Sequence, residues 1–191
     1  MNELLEEIKR CEVCSHDLPH RPRPVMSAAT DSQILIIGQA PGRKVHESGV
    51  PWDDPSGVAL RSWMGIDEST FYDPHKIGII PMGFCYPGKG KSGDLPPRPE
   101  CAPLWHPQLF EQLSNVKLTL LIGQYAQRYY LKDAARNNLT ETVKDFEHYL
   151  PKYFPLPHPS PRNRFWMAKN EWFSADVLPV LAQTVQVILS G

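Results

Sequence analysis

The stretch Gln33–Gly42, with the sequence QILIIGQAPG, places a short apolar run directly before a turn rich in glycine and proline. An uninterrupted apolar run of this length is typical of a parallel strand that is covered on both faces of its sheet. The turn that follows would then lie at the carboxyl end of the strand, where α/β sheets bind their ligands. This stretch therefore predicts both a fold class and the location of a site.

Similar apolar segments recur along the chain and alternate with helical patterns. The predicted strands are Gln33–Ile37, Ile77–Pro81, Leu118–Ile122 and Tyr153–Leu156. The predicted helices are an N-terminal one capped by Asn2, then Gly57–Met64, Pro103–Leu113, Tyr125–Leu131, Thr140–Tyr149 with Thr140 as its cap, and Glu171–Leu189 with a possible kink at Pro179. This alternation predicts an α/β fold, a three-layer α/β/α sandwich with a central, mainly parallel four-stranded sheet.

Length and composition set the outer bounds of the prediction. A chain of 191 residues is expected to form a single domain over residues 1–191 with a core of its own. The net charge of −1 gives no global basic field, so any nucleic-acid surface must be local. The apolar runs are too short to span a bilayer and no signal-peptide pattern is seen. We expect a cytoplasmic monomer with no membrane partner.

The four cysteines form two pairs, Cys11 with Cys14 and Cys85 with Cys101, and none is left over. Four thiolates from distant segments suit either a tetrahedral zinc ion or an iron–sulfur cluster. Inert buried thiols and disulfides remain alternatives at this point. A shared centre would tie the N-terminal helix and the Cys11/Cys14 segment to the Cys85–Cys101 loop.

The loops that follow the predicted strands share one composition. Each is rich in glycine, proline and amide side chains: Gly38–Gly42, Pro81–Tyr86, Gly123–Gln127 and Pro157–Asn163. Because the carboxyl ends of parallel strands meet at one edge, these loops should converge. A candidate binding site is expected there.

These loops resemble the uracil-DNA glycosylase superfamily. The segments GQAPG at 38–42 and GVPW at 49–52, together with the cysteine spacing, resemble the iron–sulfur type called family four. HPSPRN at 158–163 is similar to the second motif of the single-strand-selective monofunctional uracil glycosylases, and GQYAQ at 123–127 resembles a loop of family one. The likeness implies a 4Fe–4S cluster on Cys11, Cys14, Cys85 and Cys101, with zinc as the less favoured alternative.

The resemblance also implies a function, a partner and residue roles. The chain is expected to be a monofunctional DNA glycosylase in base excision repair, associated with the nucleoid, acting on DNA that contains a damaged or deaminated base. Uracil would be the first substrate, with hypoxanthine or xanthine possible. Trp52 would stack on the base and His158 would stabilise the base anion; a core tryptophan and a structural histidine are the competing interpretations. The other implied substrate contacts are Gly38, Ala40, Pro41, Gly42, Ser160, Arg162 and Asn163.

The water-activating carboxylate of the relatives is missing from its usual place. Family four has a glutamate directly after the first glycine and family one an aspartate one position later, where this chain has Gln39 and Ala40. Asp53 and Asp54 are the candidate substitutes, although Asp54 is equally suited to capping a helix. Gln39 could contact the base through its amide, and the backbone N–H groups of Gln39 and Ala40 could add donors.

Two rival functions remain open. A catalytically weak or inactive nucleic-acid-binding or damage-sensing protein would keep the fold and the cluster. Gln39 and Ala40 favour that alternative, whereas Trp52 and His158 favour the enzyme. A zinc-stabilised hydrolase of small nucleosides is the more remote option.

Overall fold

A computed structural model describes the whole chain, Met1–Gly191. The strands are β1 (Ile34–Ile37), β2 (Ile77–Ile79), β3 (Lys89–Gly90), β4 (Gly93–Asp94), β5 (Leu118–Ile122) and β6 (Tyr153–Leu156). Four of them form one sheet in the order β2-β1-β5-β6, and every neighbouring pair in it is parallel. Strands β3 and β4 form a separate antiparallel hairpin. The predicted α/β class and its four-stranded parallel sheet are confirmed.

Nine α-helices accompany the sheet. They are α1 (Asn2–Lys9), α2 (Arg43–Ser48), α3 (Pro55–Met64), α4 (Glu68–Phe71), α5 (Cys101–Gln112), α6 (Gln124–Leu131), α7 (Leu139–Lys144), α8 (Arg164–Lys169) and α9 (Leu178–Ser190). Short 3₁₀ turns occur at Ser15–Asp17, Lys132–Ala134, Phe146–Tyr149 and Pro161–Asn163, and a π-helical turn at Phe173–Val177 precedes α9.

The sheet separates two apolar clusters, which explains the three layers. Side chains alternate between the two faces of a strand, so Ile34 and Ile36 of β1 join one cluster while Leu35 and Ile37 join the other. The first cluster is completed by residues of α3 and α9, and the second by residues of α1, α5 and α6. All four side chains of β1 are fully buried. The continuous apolar run at its centre is therefore required by burial on both faces.

Several element ends differ from the prediction because local capping decides them. Asn138, not Thr140, caps α7, since its side-chain oxygen accepts the Glu141 N–H at 2.9 Å. Asn2 lies inside α1 and makes no capping bond. Pro179 lies in the first turn of α9, directly after the π-helical turn Phe173–Val177. The short helices α2, α4 and α8 and the β3–β4 hairpin were not predicted.

The C-terminal helical segment Phe173–Ser190 is apolar enough to cross a membrane by length and composition, with a mean hydropathy of 1.4 over 18 residues. Its buried side chains recur every four residues, at Phe173, Val177, Leu181 and Val185, and all belong to the core. This spacing is that of one helical face packed on a globular core. These four side chains make up the 22% of the segment that is buried, and the face that they form packs on the core.

Candidate active site

A cavity of about 380 Å³ lies at the carboxyl edge of the sheet, where the loops after β1, β2 and β6 meet. Most of the predicted site residues line it: Gly38, Gln39, Ala40, Pro41, Gly42, Trp52, Asp54, His158, Ser160 and Arg162. Asp53 and Asn163 do not. The cavity also contains Asp94, which was not predicted as a site residue.

Trp52 and His158 lie side by side in this cavity. Their ring centroids are 5.6 Å apart and the ring planes differ by 29°. Trp52 has a φ of 57°, an unusual conformation for a large side chain. Gly57 leaves the room for it, because a Cβ there would lie 1.9 Å from the Trp52 carbonyl oxygen. Gly38 lies under the indole, with its hypothetical Cβ 3.0 Å from Trp52 Cζ2.

Trp52 also packs against the core cluster while it lines the cavity. The two interpretations of this tryptophan are therefore compatible: part of the indole is a core contact and part is a cavity wall. A wall anchored in this way is rigid, which suits a surface against which a flat ring stacks.

His158 is half-buried and its ring nitrogens have no hydrogen-bonding partner within the protein. Burial lowers the pKa of His158, and the negative charges of Asp54 and Asp94 oppose that shift only in part. The imidazole is therefore neutral at pH 7 and carries one N–H to donate. Asn163 fixes the loop from outside the cavity, because its side-chain amide donates to the His158 carbonyl at 2.6 Å.

The two candidate aspartates are placed differently. Asp54 lines the cavity and also caps α3, since its carboxylate accepts the Gly57 N–H at 2.9 Å. Asp53 is exposed and outside the cavity, and its charge acts on Tyr72 instead of on the site. The structure thus separates a pair of residues that adjacent positions had suggested would act together.

Gln39 joins the first loop to the hairpin. Its side-chain Nε2 donates to the Leu95 carbonyl at 2.9 Å, and its own carbonyl accepts the Gly83 N–H at 3.0 Å. The backbone N–H groups of Gln39 and Ala40 have no acceptor within the protein. Both residues line the cavity, so these two donors are available to a ligand there.

Asp94 is the residue that sequence reasoning missed. It lies in β4. One oxygen of its carboxylate is 3.7 Å from the point where a Cβ on Gly42 would lie. Burial raises the pKa of Tyr86, and the negative charge of Asp94 adds to that rise. The glycine-rich sequence GKGKSGD at 88–94 was the available signal, because such sequences form tight hairpins.

The four cysteines are free and converge from two distant segments. Cys14, Cys85 and Cys101 are buried and Cys11 is half-buried. Burial, with smaller contributions from the neighbouring thiols of Cys101, Cys14 and Cys11, raises the pKa of Cys85 to about 12. Burial likewise raises the pKa of Cys101 to about 11, with Cys14 and Cys11 adding to the effect. No group of three or more histidine, cysteine or acidic side chains is arranged to hold a single metal ion.

Arg98 connects the two cysteine-bearing segments. Its guanidinium pairs with Asp17 of the N-terminal segment at 3.0 Å and with Glu100 at 2.6 Å. Burial raises the pKa of Cys14, and the positive charge of Arg98 partly offsets that rise. The N-terminal segment is thus joined to the Cys85–Cys101 loop by an ion pair.

A parallel sheet with its cavity at the carboxyl strand ends defines an α/β protein with a ligand site formed by loops. Residues 25–182 match the family described as the uracil DNA glycosylase superfamily, and the chain belongs to that superfamily. One solved structure that resembles it is the solution NMR structure of a protein from Methanosarcina acetivorans, described as a candidate uracil DNA glycosylase. It shares 14% sequence identity and a TM-score of 0.49, over 84% of this chain and 98% of that one.

Proposed function

We propose that this protein is a monofunctional DNA glycosylase that hydrolyses the N-glycosidic bond of a deaminated base, with uracil as its first substrate, in base excision repair. The observation that carries the proposal is the Trp52–His158 pair, 5.6 Å apart in the strand-end cavity of a superfamily member. A flat aromatic wall beside a neutral hydrogen-bond donor is what recognition of an extruded base requires. Hypoxanthine and xanthine are the further substrates to test.

The cavity suits a base that has left the helical stack. Its volume of about 380 Å³ is in the range of small-ligand sites. Extrusion of a base costs a few kcal/mol, least for a base that is already unpaired or single-stranded. The rigid Trp52 wall offsets part of that cost by stacking.

Stabilisation of the leaving base is assigned to His158. As the glycosidic bond breaks, negative charge develops on a carbonyl oxygen of the base, and the neutral imidazole can donate its N–H to that oxygen. The unpaired N–H groups of Gln39 and Ala40 supply further donors at the same cavity. Donors that are fixed before the reaction contribute about 10²- to 10³-fold each to the rate.

Contact with DNA is assigned to the loop that follows His158. Ser160 shapes it by accepting the Arg162 N–H at 3.3 Å, and Arg162 lines the cavity where it can meet a phosphate. Phe165, just beyond, is 83% exposed, which is unusual for a phenylalanine. An exposed aromatic three residues after Arg162 can stack on a base next to the extruded one.

We further propose that Cys11, Cys14, Cys85 and Cys101 hold a 4Fe–4S cluster. Buried thiols that raise each other's pKa need positive charge before they can ionise, and iron supplies it. Zinc is the alternative partner of four thiolates. A 4Fe–4S cluster takes one thiolate on each of its four irons, which matches the four free cysteines of this chain. When bound, it would serve as a structural cross-link.

The test is a base-release assay on oligonucleotides that contain one uracil, hypoxanthine or xanthine, in single- and double-stranded form, with abasic sites revealed by alkali. We expect release of uracil by the unmodified protein and a loss of about 10²- to 10³-fold in His158→Ala. His148→Ala is the matched control, because His148 is exposed and outside the cavity. Equal rates for His158→Ala and the control would contradict the proposal.

A second candidate is a damage-binding protein without hydrolytic activity. It is favoured by Gln39 and Ala40, which stand where the relatives carry their water-activating carboxylate. The same oligonucleotides separate the two functions. Tight binding to the deaminated strand with no release of any base would establish the second candidate.

A further inference from the structure

Two carboxylates line the cavity, and they are not equally available. Asp54 is occupied in capping α3 through the Gly57 N–H. Asp94 is exposed, makes no ion pair and accepts no hydrogen bond from another protein group. Both carboxylates line the same cavity as His158.

The hairpin that carries Asp94 is held against the cavity from two sides. On one side Gln39 donates to the Leu95 carbonyl at 2.9 Å, and the Leu95 N–H donates to Gly88 at 2.8 Å. On the other side the guanidinium of Arg162 lies over Gly93, 3.3 Å from the point where a Cβ would be. Gly93 has a φ of 128°, which a side chain would not tolerate. The contacts of Gln39, Leu95 and Arg162 therefore fix the position of Asp94.

The Asp94 carboxylate accepts no hydrogen bond from another protein group, and one of its oxygens lies 3.7 Å from the point where a Cβ on Gly42 would be. Its lone pairs are therefore free to accept from water.

We propose that Asp94 is the carboxylate that activates the attacking water. The inference rests on the proposed glycosylase function. In the step, Asp94 takes a proton from water as the water oxygen bonds to C1′ of the sugar. The C1′–N bond breaks, and its electron pair leaves with the base, whose anion is stabilised by the His158 N–H and then protonated from solvent. A free sugar hydroxyl and a free base are the products.

This assignment explains the composition of the first loop. Gln39 has no carboxylate to offer, and its amide is instead engaged with the hairpin that brings Asp94 to the cavity. A carboxylate from between the third and fourth cysteines thus takes the role that relatives give to the position after Gly38. At that position the Gln39 side chain instead holds the hairpin that carries Asp94.

The experiment compares Asp94→Asn, Asp94→Ala and the matched surface variant Asp133→Asn, which is exposed and outside the cavity. Single-turnover release of uracil is measured beside the Kd for an oligonucleotide with 2′-fluoro-2′-deoxyuridine, which resists hydrolysis. We expect Asp94→Asn to lose about 10²- to 10⁴-fold in rate, as for a general base, with Kd unchanged.

Chemical rescue separates chemistry from structure. Added formate should restore part of the rate of Asp94→Ala and none of the rate of His158→Ala, because only the first variant lacks a carboxylate. If the unmodified protein is active and Asp94→Asn matches Asp133→Asn, the inference is overturned while the glycosylase function stands. If the unmodified protein releases no base from any substrate, both fail.

Discussion

The cavity and the thiol group of this protein are built in different ways. The cavity walls follow directly from β1 and β6, whose backbone groups are paired in the sheet, and Asp54 and Ser160 cap the turns around it. The thiol group lies instead among a 3₁₀ turn, a hairpin of two-residue strands and the start of α5. The chain alone supplies a preformed cavity, whereas in the thiol group burial, with smaller contributions from neighbouring thiols, raises the pKa of Cys85 and of Cys101. The cluster proposed for these thiols would supply the positive charge that their ionisation needs.

The hairpin belongs to both regions. It begins after Cys85 and ends before Cys101, yet it places Asp94 in the cavity and is bonded to Gln39. Loss of the ligand at the thiols should therefore be felt at the cavity through the hairpin. The predictions below test how far the two regions are independent.

The largest effect is expected from Cys85→Ser. Loss of a metal site is among the few mutational mechanisms that cost on the order of 4 kcal/mol or more in unfolding free energy. For a chain of this size that lowers Tm by about 8–16 °C. The measurements are calorimetry and metal analysis, with hydrogen exchange of the hairpin amides expected to quicken more than that of β1. A variant that keeps its Tm and its iron would show that the thiols are not ligands.

A somewhat smaller effect is expected from acid acting on His106. This buried ring lies between the regions, with Nε2 donating to the Pro81 carbonyl at 3.1 Å and Nδ1 accepting from the Tyr130 hydroxyl. Burial lowers the pKa of His106 to about 4 from 6.5. As the pH falls below 6.5 the unfolded chain binds a proton that the folded chain refuses until about pH 4, so stability is lost across that window. The loss amounts to about 3 kcal/mol at most.

Urea unfolding at pH 7, 5.5 and 4.5 measures this dependence in the unmodified protein and in His106→Gln. The variant should be less stable at pH 7 and should lose less stability on acidification. If the free energy of unfolding fell equally with pH in the two proteins, another titratable group would be responsible for the loss of stability in acid.

The same contrast explains what could be predicted from the sequence. The strands of the sheet were predictable because burial on both faces imposes an apolar run. Trp52 and His158 were predictable because they lie in motifs, GVPW and HPSPRN, that resemble those of the superfamily. Asp94 was not predictable, since it reaches the cavity only through a hairpin whose position depends on Gln39 and Arg162. The sequence also did not show which of Asp53 and Asp54 lines the cavity, because Asp54 is turned inward by its role as the cap of α3.

The smallest effect is expected at Asp54, and it tests whether the cavity carboxylates divide their roles. Asp54→Ala should cost about 1 kcal/mol of stability through loss of the α3 cap, whereas Asp54→Asn should cost little because asparagine caps equally well. Chemical unfolding measures both. Since the cap is the main role assigned to Asp54, the rate of uracil release in Asp54→Asn should fall far less than in Asp94→Asn. If Asp54→Asn were stable and lost more of its rate than Asp94→Asn, Asp54 would be the residue that activates water, and Asp94 would not.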